Sequence, residues 1–303
     1  MSQRKVLEQS ELEEEKIHIH ECYHIKDLLK YPKDKNKKKV YASDLDNTDQ
    51  QPELVWENLG SDQWFMKLMR IAFELVPTKD TEALVLAIYH AVQEHITTKP
   101  VEKETVDTIK NLQEQNIPVF GITARSKNII EPTVKQLKNI GIEFDFKPNN
   151  EDHFGLTIDG IENAAYFSNG IIFCSGLSKG DCLKAFFEKI QWFPEHVVMI
   201  DDKAKHLYAV QKVVHNYGGE FDGLRYGYLD KEVAKFDQDE QLMQNANMKM
   251  LDIYHKFPDT VKEAVKKIFV FGPPHLQSHS IFKRVTIEAP TAEEKQIKHG
   301  KWF

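Results

Sequence analysis

From Val40 onward the chain alternates short, mainly apolar runs with longer stretches whose apolar residues recur at helical spacing. Val40–Leu45 is one such run. Val101–Gln115 then carries Val101, Val106, Ile109 and Leu112 at helical intervals, and Ile117–Ile122 is apolar again. The pattern predicts further strands over Gly170–Cys174, Val197–Ile200 and Phe221–Tyr228, with helices over Ile129–Ile140, Gly180–Ile190 and Ala204–Val214. Gly141 stands where the first of these helices needs a stop, and Gly218-Gly219 follow the last. Strands apolar on both faces and joined by helices predict an α/β fold, a doubly wound parallel sheet.

Two insertions interrupt the alternation. Trp56–Thr98, mostly helical, lies between the first two strands and reads as a small helical cap. Gly141–Gly170 is rich in turn residues, with Pro148-Asn149-Asn150 and Asp159-Gly160 favouring loops or a hairpin. Ahead of the sheet, Ser10 with Glu13 fits a helix-capping box, Ile17–His20 alternates like a strand, and His24–Lys30 reads as a further helical turn or two. Lys33–Lys39 holds five lysines in seven residues and reads as a solvated loop. Beyond Tyr228 the chain is polar, with helical stretches around Asp239–His255 and Thr260–Phe269 before a break at Gly272-Pro273-Pro274. The expected division is an N-terminal appendage (1–39), a core (40–50 with 100–228), an inserted cap (51–99) and a C-terminal extension (229–303).

Composition narrows the function classes. A chain of 303 residues that is 41% hydrophobic can bury a sizeable core. The net charge of −7 counts against generic nucleic-acid binding. Three cysteines, Cys22, Cys174 and Cys182, with no Cys-x-x-Cys pair, argue against a disulfide framework or structural zinc and for a reducing, cytoplasmic compartment. The polar, acidic stretch Met1–Lys16 does not read as a secretory signal, and the longest apolar run, Ala83–Tyr89, is too short to span a bilayer. His18, His20 and His24 read as a solvated face, and Cys174 and Cys182 as core packing. No phosphate-binding loop of the Gly-x-x-x-x-Gly-Lys-Ser/Thr type exists.

In an open parallel sheet, ligands bind beyond the carboxyl ends of the strands. The first strand ends in Asp44-Leu45-Asp46-Asn47-Thr48 and the second in Thr123-Ala124-Arg125-Ser126. Ser178-Lys179 opens the helix after the third, and the fourth ends in Asp201-Asp202. Residues two apart on an extended chain point the same way, so Asp44 and Asp46 can address one group. Arg125 could touch a substrate phosphate or form a surface salt bridge.

In this order the four motifs resemble the haloacid dehalogenase (HAD) superfamily of phosphohydrolases, over roughly residues 40–228. A closer likeness, carried by Ser43–Thr48, Leu59–Phe65, Gly170–Lys179 and Gly223–Gly227, is to uncharacterised HAD-like proteins of intracellular bacterial pathogens. The resemblance implies a Mg²⁺-dependent phosphatase acting on a phosphomonoester, carried by a small molecule or a protein. It implies Asp44 as nucleophile, Asp46 as acid and base, and Thr123 and Lys179 as phosphate-binding groups. Asp44, Asp46 (through its main-chain oxygen) and Asp201 would hold the metal, with Asp202 and Arg125 in support. The sequence departs from the family at Asp49 and Gln50, where an apolar residue is usual, and at Lys205, followed by His206, where a second acid often stands. Those departures keep open a catalytically degenerate HAD-fold binding protein. Trp56, Trp64 and Phe65 fit either a substrate lid or the cap's own core.

Overall fold

Side chains alternate across each core strand, and in this chain both faces find helices to bury against. The computed structural model describes residues 19–31 and 37–269. The strands are β1 (Ile19–Cys22), β2 (Lys39–Ser43), β3 (Gln50–Pro52), β4 (Thr98–Pro100), β5 (Val119–Thr123), β6 (His153–Ile158), β7 (Ile161–Ser168), β8 (Ile171–Phe173), β9 (His196–Asp201) and β10 (Glu220–Tyr226). Eight of them form one sheet in the order β1-β10-β9-β2-β5-β8-β7-β6. Pairing is parallel from β1 through β8 and antiparallel for β7 and β6.

The helices are α1 (Asp62–Leu75), α2 (Thr81–Gln93), α3 (Thr105–Glu114), α4 (Ile130–Asn139), α5 (Lys179–Ile190), α6 (Ala204–Asn216), α7 (Asp230–Gln238), α8 (Glu240–Tyr254) and α9 (Asp259–Phe269). Val40, Ala42, Phe120, Ile122, Val197 and Met199 pack in one cluster with Leu183 and Phe186 of α5 and Leu207 and Val210 of α6. Their neighbours Tyr41, Val119, Val198 and Ile200 pack in a second with Ile109 and Leu112 of α3 and Leu137 of α4. The sheet is therefore covered on both faces, the doubly wound α/β arrangement that the apolar runs predict.

The turn-rich segment after α4 is a hairpin. Asp159 (φ 51°) and Gly160 (φ 78°) are both left-handed, as a two-residue turn between twisted strands requires. At the opposite edge, residues 19–22 lie inside the sheet as β1, paired to β10 from Ile19↔Gly223 to Cys22↔Tyr226. The sequence sets this segment apart as an appendage because only four residues of one ladder hold it. His20 is exposed, and the His24 ring bonds Glu102 at 3.0 Å. His18, the Ser10–Glu13 box, Lys33, Lys35 and Gly272-Pro273-Pro274 lie outside the described residues.

The insertion is bracketed by the two-stranded β3–β4 ribbon and built of α1 and α2. Its apolar faces share a third cluster with α7, α8 and α9, through Trp64, Leu68, Val85, Phe236, Met250 and Ile268. The Trp64 indole donates to Asn247 Oδ1 at 3.0 Å, and Lys67 donates to the Phe236 carbonyl at 3.2 Å. Trp64 is thus a core residue of this helical body. Helix α7 is not predicted from periodicity, because Phe236 is its one buried residue. Among the described residues no helix is long and apolar enough to cross a membrane.

Candidate active site

Strands β2 and β9 lie side by side, so their carboxyl ends deliver Asp44 and Asp201 to the same point of the sheet edge. The Asp44 amide donates to the Ile200 carbonyl at 3.0 Å, which fixes the exit of β2 against β9. Lys179 comes from the next layer, at the first turn of α5, whose N-cap Ser178 accepts from Asp181 N–H. A Cβ at Gly180 would stand 2.3 Å from the Ala209 carbonyl oxygen, so only glycine lets α5 approach α6 this closely beside the lysine.

The result is a buried ion cluster. Lys179 Nζ donates to Asp44 Oδ1 at 2.5 Å and to Asp201 Oδ2 at 2.7 Å. Relative exposures are 1% for Lys179, 6% for Asp44 and 0% for Asp201. The second Asp201 oxygen accepts the Lys203 amide at 2.8 Å. Asp202 stands next to them, and ligand atoms of Asp44, Asp201 and Asp202 lie within 4.8 Å of one another. Asp202 Oδ2 accepts from Asn47 Nδ2 at 3.3 Å, while Oδ1 is buried with no hydrogen-bond partner. An orphaned carboxylate oxygen beside two further carboxylates, in an all-oxygen donor set, fits Mg²⁺.

Charge crowding shapes the titration. Burial pushes the Asp44 carboxyl well above the usual range, opposed by Lys179 and reinforced by Asp201 and Asp202. Burial alone would depress Lys179, but Asp201 and Asp44 reverse the sign and keep it an ammonium. Burial lifts Asp202 to about 6 against the pull of Lys203. His206 is pushed down to about 4 by burial and by the charge of Lys179, so its imidazole is neutral at pH 7.

Asp46 sits in a different environment. Both its oxygens are gripped by Arg125, from Nε at 2.8 Å and Nη2 at 2.7 Å. The Arg125 side chain is 3% exposed and that of Asp46 22%, so the pair is half-buried, with the arginine enclosed, in place of the surface salt bridge the sequence allowed. Thr123, buried at the end of β5, accepts the Arg125 amide on Oγ1 at 3.1 Å. The structure therefore brings Asp44, Lys179, Asp201 and Asp202 together, and sets Asp46 and Arg125 as a pair at the same edge.

Several polar residues of this edge escape a motif reading. Asn47 takes a left-handed φ of 61° and its amide also donates to Gln63 of α1 at 3.3 Å. Lys203 is ion-paired with Asp62, the first residue of α1. Thr133 and Gln136 of α4 hold the far side of Arg125. The only sequence signal for Asn47 and Lys203 is adjacency to the strand ends, and Thr133 and Gln136 carry none. Asp49, noted as a departure, is buried with Oδ1 accepting from Ser43 Oγ at 2.7 Å, and burial lifts its carboxyl to about 8. Cys22, Cys174 and Cys182 are free and buried.

The family described as "Protein of unknown function (DUF2608)" matches residues 21–257. A "Putative outer membrane protein" of Chlamydia pneumoniae is 24% identical over 176 residues, 58% of this chain and 65% of the relative. A protein of the same description from Chlamydia trachomatis is 24% identical over 172 residues, 56% of this chain and 63% of that one. The chain thus spans less than two thirds of the length of the curated relatives it matches. Among solved structures, a HAD family hydrolase from Deinococcus radiodurans with bound phosphate and sodium aligns at a TM-score of 0.33 and 11% identity, covering 65% of this chain and 95% of that one. A phospho-aspartyl intermediate analogue of phosphoserine phosphatase aligns at a TM-score of 0.33 and 17% identity, covering 66% and 99%.

Proposed function

We propose that this chain, which belongs to the DUF2608 family, is a HAD-type phosphohydrolase that cleaves a phosphomonoester through an aspartyl-phosphate. The observation that carries the reading is Lys179 bridging the buried carboxylates of Asp44 and Asp201, with the unpaired oxygen of Asp202 beside them. So many buried charges at the ligand-binding edge of a parallel sheet are costly to the fold and mark a site of chemistry.

Asp44 is the nucleophile: its oxygen attacks phosphorus in line as the bond to the leaving oxygen breaks. Asp46 gives that oxygen its proton and then takes one from the water that releases phosphate and regenerates Asp44. Lys179 neutralises a phosphate oxygen and Thr123 donates a hydrogen bond to another. Asp44, Asp201 and Asp202, with the main-chain oxygen of Asp46, would hold Mg²⁺, which when bound supplies the positive charge that lets a carboxylate approach a phosphate. The inserted residues 51–99 act as the cap over this edge, and the substrate is a small phosphomonoester or a phosphorylated protein.

The test is hydrolysis of 4-nitrophenyl phosphate with Mg²⁺. Wild type is expected to turn over and Asp44→Asn to be inactive; equal rates in the two would end the reading. The grip of Arg125 on Asp46 and the presence of Lys205 in place of an acid favour one rival, a non-catalytic binding protein of the same fold. It predicts no turnover and no rise in melting temperature with Mg²⁺ or beryllofluoride. If neither turnover nor stabilisation is seen, the site holds no phosphate.

A further inference from the structure

The ion pair of Arg125 with Asp46 does not end at the guanidinium. Arg125 Nη1 donates to Thr133 Oγ1 at 3.0 Å and to Gln136 Oε1 at 2.8 Å, both on α4. With the two bonds to Asp46, four of its five N–H groups are spent inside the protein. Gln136 passes the contact on: its Nε2 donates to both the main-chain and the side-chain oxygen of Gln93, each at 3.0 Å. Gln93 is the last residue of α2, inside the insertion, and its own Nε2 donates to the Gly60 carbonyl at 2.7 Å. Gly60 precedes Ser61, the N-cap of α1.

From there the path returns to its origin. In the first turn of α1, Gln63 accepts from Asn47, the residue after Asp46, and Asp62 pairs with Lys203, two after Asp201. Arg125, Gln136 and Gln93 are all buried, so none of these side chains can trade its partner for water without a desolvation cost. Asp46, Arg125, Gln136, Gln93, Gly60, α1 and Asn47 form one closed ring across the seam between core and insertion. Because its members are buried and hold one another by hydrogen bonds, displacing one of them disturbs the rest.

We infer that Gln136 and Gln93 are positioning residues for Asp46: through Arg125 they orient its carboxylate and tie that orientation to the seating of the inserted helices. The inference rests on the assignment of Asp46 as proton donor, and it makes the insertion part of the acid–base apparatus. A group that protonates the leaving oxygen matters most where that oxygen is a poor leaving group. Loosening the ring should therefore discriminate between substrates, whereas general loss of structure should not.

The experiment uses the full chain with Gln136→Met and, as an independent cut that leaves Arg125 its α4 partners, Gln93→Met. In Gln136→Met, kcat on phenyl phosphate should fall about tenfold further than kcat on 2,4-dinitrophenyl phosphate, whose leaving group needs little protonation, a share of the usual worth of acid catalysis. An equal fall on both substrates, or none, overturns the inference. Hydrogen exchange supplies a readout that needs no turnover. The amides of Asn47, Asp49 and Gln50, bonded within the Asp44–Gln50 loop, should exchange about tenfold faster in either variant, with β9 amides unchanged. Unchanged loop exchange overturns the coupling. If wild type hydrolyses neither ester, the functional reading fails and loop exchange alone decides whether the ring couples insertion to core. If one variant does not fold, the other carries the test.

Discussion

At the carboxyl edge of the sheet the buried side chains are Asp44, Lys179 and Asp201; in the adjoining helical body they are Trp64, Leu68, Val85, Met250 and Ile268. Both regions exclude water, by different means. The helical body gains from apolar area, which is non-directional and tolerates a change of shape at modest cost. The charged edge gains only while each ion keeps its partner, because an unpaired buried charge costs more than the pair contributes. Stability should therefore be brittle at the edge and graded in the helical body.

The largest expected effect comes from Lys179→Met, which leaves Asp44 and Asp201 facing each other without a cation. It should lower unfolding free energy by ~3–5 kcal/mol in urea denaturation without metal. A loss no greater than that of a substitution in the helical body would remove the distinction between the regions. Next is the response to Mg²⁺. At about 100 times its dissociation constant the ion should stabilise wild type by ~2.7 kcal/mol, read as a rise in melting temperature, and Asp201→Asn should abolish the rise. In the helical body, Trp64→Phe keeps most of the apolar area but strands Asn247, for a cost of ~1–3 kcal/mol and no change in Mg²⁺ response.

A last test reads the burial of charge at a single position as a slope against pH rather than as a single loss. Asp49 is lifted to about 8 by burial, against ~3.9 for an ordinary aspartate. Between those pH values the unfolded chain has lost a proton that the folded chain keeps, so stability falls as pH rises and levels off above about 8. Asp49→Asn has no such titration. Its stability relative to wild type should climb by at most ~1.4 kcal/mol per pH unit across that window, measured as urea midpoints at pH 5 to 8. A difference that stays flat with pH would show that Asp49 is ionised in the fold.

Much of the core is legible in the sequence alone. Short runs such as Val40–Ala42 and Val197–Ile200 are apolar on successive residues because both sheet faces are covered, and Asp159-Gly160 has the backbone freedom its turn demands. The acids that close those runs could be picked out as candidates, since a parallel sheet aligns its carboxyl ends. What pairs with them could not. Arg125 stands 79 positions from Asp46, and Gln136 stands 43 from Gln93. No local pattern records such distances, because a single polar side chain has no periodicity.

The helical body divides along the same line. The amphipathic faces of α1, α8 and α9 repeat at helical spacing and are written into the chain locally. That α1 and α2, inserted after the first strand, share one core with α8 and α9 from the far end of the chain follows only from packing, as does the place of β1 at the sheet edge. Secondary structure and the candidate acids were set by short-range periodicity and strand ends. The partners of those acids, and so the charge each carries, were set by contacts that exist only once distant segments have met.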